Sequence, residues 1–255
     1  SEDEENPMSD IYTYNDDGTE LSLRYDLSQT CINFYKQNYM NLPNPFKRFE
    51  IGTVFRRDKP GSIRYKSFDQ CDVDIIGNFD VKQANADLCS MIGSIFTEFL
   101  KKSEFVIYVS NRKIVQGLIN DLKISDKSKE IKVMRALDKL PRIGLKGVED
   151  LLKKERVDIS GAVTKGANLS DTQTSEILNF LKIKNLKDLK SNLKNPLSVE
   201  GIKETEDLLE IISYGKYTKL IQPNFTIVRG LAYYDGFCVE TNLNFKVKNP
   251  KGKEI

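Results

Sequence analysis

The chain has no histidine in its 255 residues. That absence removes the usual general base and with it every Ser-His or Cys-His nucleophile scheme. Chemistry here must run on arginine, lysine, carboxylates, tyrosine or a bound metal. The four cysteines, Cys31, Cys71, Cys89 and Cys238, form no CxxC, so neither a zinc site nor a disulfide framework is expected. A reducing, cytosol-like compartment fits that usage best. No apolar run reaches the ~18 residues that a membrane helix needs. The opening "SEDEENPMSD" is acidic and polar, unlike a signal peptide, and reads as a loop or frayed end. No internal repeat is visible.

What the chain does have is an uneven charge. Its formal total is +2, but from Lys123 to Lys194 there are 17 basic residues against 10 acidic ones, leaving this segment at +7 and the remainder at −5. A basic module set into an acidic one is the expectation. The secondary-structure pattern divides the chain in the same way. "IYTYNDDGTELSLRYDL" places two strand-like runs around Asp16-Asp17-Gly18, a hairpin signal. "FKRFEIGTVFRR" and "SFDQCDVDIIG" both alternate. On the first, Phe49, Ile51, Thr53 and Phe55 share one face, and Arg48, Glu50, Gly52, Val54 and Arg56 the other. On the second, Cys71, Val73 and Ile75 oppose Gln70, Asp72 and Asp74. Together they predict a long antiparallel hairpin with one polar face.

A helix is predicted from Asp80 to about Lys102, with Gln83 as a variant capping box, then a short buried strand in "FVIYVS" and a helix in "NRKIVQGLINDL". From about Ile124 to Pro196 strand signals vanish and helix-like segments follow one another, with Ser170 and Gln173 as a second capping box. "SVEGIKETEDLLEIISYGK" reads as a helix ending at Gly215. Strands resume in "NFTIVRGLAYY", and Asp235-Gly236 turns into "FCVETNLNF". The expected fold class is α+β, an antiparallel sheet flanked by helices with an all-helical insertion. The expected division is a first sheet part over 1–123, the insertion over 124–197 and a second sheet part over 198–255.

The polar hairpin carries the clearest chemistry. Within "GTVFRRDKPGSIRYKSFDQCDVDIIG", Arg56 ends one strand, Arg57 and Lys59 occupy the loop, and Arg64 lies on the return. Guanidinium forks there suit a polyphosphate. Gln70, Asp72 and Asp74 line the same face deeper in. Two readings are open: an ion-pair ladder across a surface hairpin, or a bipolar cleft that takes an anion at the rim and an ammonium below. In "VRGLAYYDG", Gly230 permits close backbone approach. Arg229 and Tyr234 have opposite parity, so they share a cleft only if a bulge or twist intervenes; a plain strand with two packing tyrosines is the other reading.

"LRYDLS", the long hairpin and "RGLAYYDG", in that order, resemble histidyl-tRNA synthetases. The hairpin is similar to motif 2 of class II synthetases, the first segment to the amino-acid-binding strand, and the last to the arginine signature of the histidine enzymes. The likeness covers nearly the whole chain, the insertion included. It implies the class II catalytic fold and a ligase that joins histidine to tRNA(His) through a histidyl-adenylate. Its cofactors would be ATP and Mg2+, with no resident metal site. By the same resemblance, Arg56 and Arg229 are the catalytic residues and hold the α-phosphate, and Arg64 helps to bind ATP. Asp26, Ser28 and Gln70 hold the α-ammonium of histidine. Asp74 and Tyr234 read the imidazole, with Tyr233 in support. Neutral imidazole offers one donor and one acceptor nitrogen, which a carboxylate and a tyrosine hydroxyl can match.

Asp26 and Asp74 stand where many members carry Glu, Ser28 where they carry Thr, and Ala232 where most carry Asp. Motif 1 is expected before residue 1; motif 3 and the anticodon-binding domain are expected after Ile255. The resemblance further implies a homodimer of the full-length protein, a cytoplasmic setting and no membrane partner. One alternative is a non-catalytic relative, the synthetase-like regulatory subunit of ATP phosphoribosyltransferase. A purely structural RNA-binding protein is another, and it leaves the bipolar cleft unexplained.

Overall fold

The computed structural model describes residues 11–57, 65–157, 163–228, 235–248 and 252. The chain forms two compact units, one of residues 1–80 with 246–255 and one of residues 81–245. Both are mixed α and β, in keeping with the expected class.

The first unit opens with a small hairpin, β1 (Thr13–Asp16) and β2 (Thr19–Ser22). Its turn has positive φ at both central residues, Asp17 at 48° and Gly18 at 85°, the backbone that the Asp-Gly pair predicts. Helix α1 (Ser28–Asn38) follows. It starts where it does because Asp26 Oδ1 accepts from Gln29 N–H at 3.0 Å, satisfying one of the helix's free amides. Strands β3 (Phe46–Phe55) and β4 (Ser67–Ile76) then pair antiparallel without a bulge, from Phe46 opposite Ile76 to Phe55 opposite Ser67. Leu27, Cys31 and Val54 are its buried centre.

The second unit is built on one strand. β5 (Phe105–Asn111) lies between β8 (Ile221–Pro223), to which it runs parallel, and β9 (Phe237–Leu243), to which it runs antiparallel. Phe105, Ile107 and Val109 pack against Ala86 and Cys89 of α2 (Val81–Phe99) and against Leu208 and Ile212 of α8 (Pro196–Ser213). A second core joins α3 (Arg112–Asp121), α4 (Lys127–Asp138), α5 (Leu140–Lys153), α6 (Asp171–Phe180) and α7 (Leu186–Asn192) to Ile202 of α8. Helices α3 and α8 approach closely because both carry a glycine at the crossing. A Cβ on Gly117 would sit 2.6 Å from the Ser198 backbone nitrogen, and one on Gly201 3.0 Å from that of Ile114. The Ser170–Gln173 capping box forms in full at the start of α6.

Three expectations need correction. The segment 124–197 is not all-helical: β6 (Glu155–Val157) and β7 (Val163–Lys165) pair antiparallel within it. Three residues are too few for a period of two to register, and these strands bury no face. The sheet is not purely antiparallel, because β8 joins β5 in parallel. Finally, the described part of "NFTIVRGLAYY", 224–228, is not a strand, and 229–234 lie outside the described residues. β8 precedes it and ends at Pro223, which has no N–H for the ladder. Asn224 Oδ1 then accepts from Thr226 N–H and hydroxyl, closing a turn. Among the described residues no helix is long and apolar enough to cross a membrane, and no cluster of His, Cys, Asp or Glu could hold a metal ion.

Candidate functional site

An amphipathic hairpin ordinarily turns its apolar face inward. β3 and β4 do the opposite. Phe49 and Ile51 are 73% and 67% exposed and Cys71 is exposed, whereas the face bearing Arg48, Glu50, Asp72 and Asp74 is half-buried. The segment 24–27 lies along β3 and anchors to this side. Phe55 N–H donates to Arg24 C=O at 2.9 Å, and Arg24 Nε donates to Thr53 C=O at 2.5 Å. Arg48 Nη2 donates to Leu27 C=O at 2.9 Å. Gly52 makes room for this, since a Cβ there would stand 3.0 Å from Arg24 Nη2 and 3.4 Å from Leu27 Cδ2.

Register sets the order of groups along the face. Arg48 stands opposite Asp74 at the base, Glu50 opposite Asp72, and Gly52 opposite Gln70. Arg56 continues the ladder at the tip through its N–H to Lys66 C=O. At the base, Arg48 contacts Asp74 Oδ2 through Nε at 3.0 Å and Nη2 at 2.8 Å, and Glu50 through Nη1. Arg24 approaches Glu50 at 3.9 Å. Burial raises the Asp72 carboxyl above its ordinary value, and the charges of Asp74, Asp26 and Glu50 add to this against Arg48. Burial also raises the Cys31 thiol on α1, with Asp74 the next cause. Four carboxylates thus converge on two guanidiniums, an environment that favours an added cation.

Gln70 Oε1 is buried in this setting with no hydrogen-bond partner among the described residues. The Ser110 and Thr174 hydroxyls in the second unit are likewise buried and unpartnered, but they do not lie among carboxylates of the hairpin. An orphaned amide oxygen beside acids is the acceptor that an ammonium lacks. Asp26 spends one oxygen on the α1 amide, and Ser28 is half-buried in the first turn of that helix.

The tip has a different character. Arg56 lies over the rings of Tyr25 at 4.5 Å and Phe68 at 5.2 Å, and its Nε donates to Tyr25 C=O at 3.2 Å. Among the described residues no carboxylate pairs with it. A guanidinium oriented by two rings and left without an acid suits a phosphate. Arg57 is exposed and lies 5.9 Å from the Tyr12 ring.

Of the residues singled out in the sequence, Asp26, Ser28, Arg56, Gln70 and Asp74 all fall in the first unit, around one strand pair and the segment beside it. Arg64, Arg229, Tyr233 and Tyr234 lie outside the described residues. Sequence reasoning put Arg48 and Glu50 on the polar face but gave them no role, and it missed the aromatic bracket of Tyr25 and Phe68. Parity contained the signal for Arg48, which falls directly across from Asp74.

A profile of the histidyl-tRNA synthetase family matches residues 7–243. The chain is 64% identical over its whole length to the histidine–tRNA ligase of Pelagibacter ubique, and covers 55% of that protein. It is 35% identical over 93% of its length to the corresponding ligase of Ruegeria pomeroyi, of which it covers 50%. The chain therefore spans about half the length of these curated relatives. Among solved structures, the histidyl-tRNA synthetase of Nostoc sp. PCC 7120 shares the fold with a TM-score of 0.71 at 24% identity, over 91% of this chain and 52% of that one. A Bacillus halodurans protein described as an ATP phosphoribosyltransferase regulatory subunit/histidyl-tRNA synthetase gives 0.72 at 17% identity, over 92% and 58%. With a family match that takes in both compact units and the whole polar hairpin, the chain belongs to the histidyl-tRNA synthetase family.

Proposed function

We propose that this chain is the catalytic core of a histidine–tRNA ligase, which joins histidine to ATP as histidyl-adenylate and passes the histidyl group to tRNA(His). The observation that carries the reading is the order of groups along the β3–β4 face: Arg56 at the tip, the orphaned Gln70 oxygen in the middle and Asp74 at the base. Histidine has the same order, with a carboxylate, an ammonium and then an imidazole. Laid along the strands, its carboxylate points to the nucleotide held by Arg56. Its ammonium meets Gln70, Asp26 and Ser28, and a ring N–H meets Asp74. Arg64 and Arg229 keep the phosphate roles implied by the resemblance, and Tyr233 and Tyr234 the ring-reading ones.

The chemistry suits a chain without histidine. The substrate carboxylate is already ionised at neutral pH and needs no base to become a nucleophile. Its oxygen attacks the α-phosphorus of ATP, the bond to the β-phosphate oxygen breaks, and pyrophosphate leaves with the electron pair. The protein's part is to position the reactants and to neutralise developing negative charge, which fixed guanidiniums do well. Magnesium arrives with ATP as part of that substrate. The basic segment 124–197 is proposed as a tRNA-facing insertion, and the full-length protein as a cytoplasmic homodimer. Histidine-dependent ATP–pyrophosphate exchange by the intact parent protein tests the reading. Exchange that requires histidine and no other amino acid supports it; histidine binding without exchange overturns it in favour of a regulatory binding subunit.

A further inference from the structure

Arg48 is more enclosed than either acid it pairs with, its side chain 14% exposed against 23% for Asp74 and 32% for Glu50, and all three of its guanidinium nitrogens are engaged. Nε and Nη2 both reach Asp74 Oδ2, Nη2 also reaches Leu27 C=O, and Nη1 reaches Glu50. It therefore has no fork left for a phosphate, unlike Arg56. Among the described residues no N–H or O–H donates to the other oxygen of Asp74, and the neighbouring donor to this carboxylate is the Cys31 thiol, a weak one that a ring N–H can displace.

We propose that Arg48 is a positioning residue of the histidine pocket: it locks Asp74 through Oδ2, leaves Oδ1 as the acceptor for a ring N–H, and makes the pocket take the neutral imidazole rather than the imidazolium. This deepens the histidine–tRNA ligase reading and rests on it. The groups facing Arg48 are Glu50 on its own strand, Asp74 and Asp72 on β4, the Leu27 carbonyl in the segment before α1, and Cys31 on α1, with Asp26 acting on Asp72 behind them. With Arg48 present, the Asp74 pair shows the ring no net charge. Without it, those acids face only Arg24, and an uncompensated carboxylate cluster attracts a cation. Arg48 thus sets a neutral ring against Asp74, while the remaining acids, in excess over Arg24, are left for the substrate ammonium. Lysine could supply the charge but not three bonds in a fixed plane.

The test is histidine-dependent ATP–pyrophosphate exchange by the intact parent protein as wild type, Arg48→Met and Arg48→Lys, at pH 7.5 and pH 6, on either side of the ordinary imidazole value of ~6.5. Arg48→Met is expected to raise KM for histidine about tenfold or more at pH 7.5, the scale of one buried group losing its partner. That excess should shrink to about threefold at pH 6, where imidazolium is abundant. KM for ATP should stay within about twofold of wild type, because Arg56 and its rings are untouched. Arg48→Lys is expected to raise KM for histidine with the same excess at both pH values, since the charge is kept. An excess for Arg48→Met that is equal at both pH values, or that appears equally in KM for ATP, reduces Arg48 to a structural role and overturns the proposal. If Arg48→Met is recovered unfolded, Arg48→Lys decides, and a wild-type KM for histidine in that variant overturns it. Wild type that fails to exchange with histidine removes the ligase reading itself; wild type that exchanges, with unchanged Arg48 variants, removes the Arg48 role alone.

Discussion

Strand β5 and the β3–β4 hairpin use strand geometry to opposite ends. β5 is buried on both faces, with Phe105, Ile107 and Val109 at 2% exposure or less, and each edge is paired. The hairpin leaves Phe49 and Ile51 in the open and turns inward a face of arginines, acids and an amide. Burying apolar area stabilises by about 25 cal/mol per Å2, while half-burying four carboxylates costs free energy that two guanidiniums only partly offset. The difference teaches where each unit places its free energy: β5 holds a fold, and the hairpin holds charges ready for a ligand.

Truncation should expose that contrast most sharply. Phe105→Ala is expected to destabilise the chain by about 3–5 kcal/mol through the cavity it leaves. Phe49→Ala should stay within about 0.5 kcal/mol, as for an open surface site. Urea unfolding of the two variants measures both, and equal losses would erase the distinction. At the hairpin the large effect should fall on chemistry instead. Arg56→Ala is expected to slow single-turnover adenylate formation by about 10²-fold or more, with little change in unfolding free energy. Asp74→Asn should weaken histidine use by about 1–3 kcal/mol and spare ATP binding; calorimetry showing ATP affinity lost and histidine affinity kept would reverse the assigned roles.

Charge reversal of Lys182 and Lys184, exposed between α6 and α7, together with Lys187, exposed on α7, should raise KM for tRNA several-fold and flatten its salt dependence by about one unit of slope per lost phosphate contact. Exchange without tRNA should survive. The smallest expected effect is on stability at Asp72. Its folded-state value is raised above the ordinary 3.8, so the ionised form costs stability as pH rises through that window, and the cost disappears as pH falls below it. Asp72→Asn should therefore raise Tm at pH 7 by roughly 2 °C, with the gain shrinking toward pH 4. An equal gain at both pH values would mean that the carboxylate charge is not the cause.

Much of this was legible in residue order. The Asp17-Gly18 turn, the capping box of Ser170 and Gln173, the buried run of β5 and the alternation of β3 and β4 are local signals, each written within a few neighbours. The hairpin β6–β7 was not legible, because three-residue strands carry no period. Neither was the parallel partner β8, because a chain reaches a parallel neighbour only after a long crossover whose return point local sequence does not mark.

The same division runs through the candidate site. Alternation alone determined that Arg48, Glu50 and Arg56 share one face of the first strand, and Gln70, Asp72 and Asp74 one face of the second, since successive side chains of a strand point to opposite sides. Only the tertiary structure decided that this polar face is the inward one, because what covers a sheet comes from elsewhere in the chain, here the segment 24–27 and α1. The Arg48–Asp74 lock and the bracket of Tyr25 and Phe68 around Arg56 were decided at that same level. Each joins residues more than ten positions apart, and contacts at that range depend on packing geometry that no local pattern encodes.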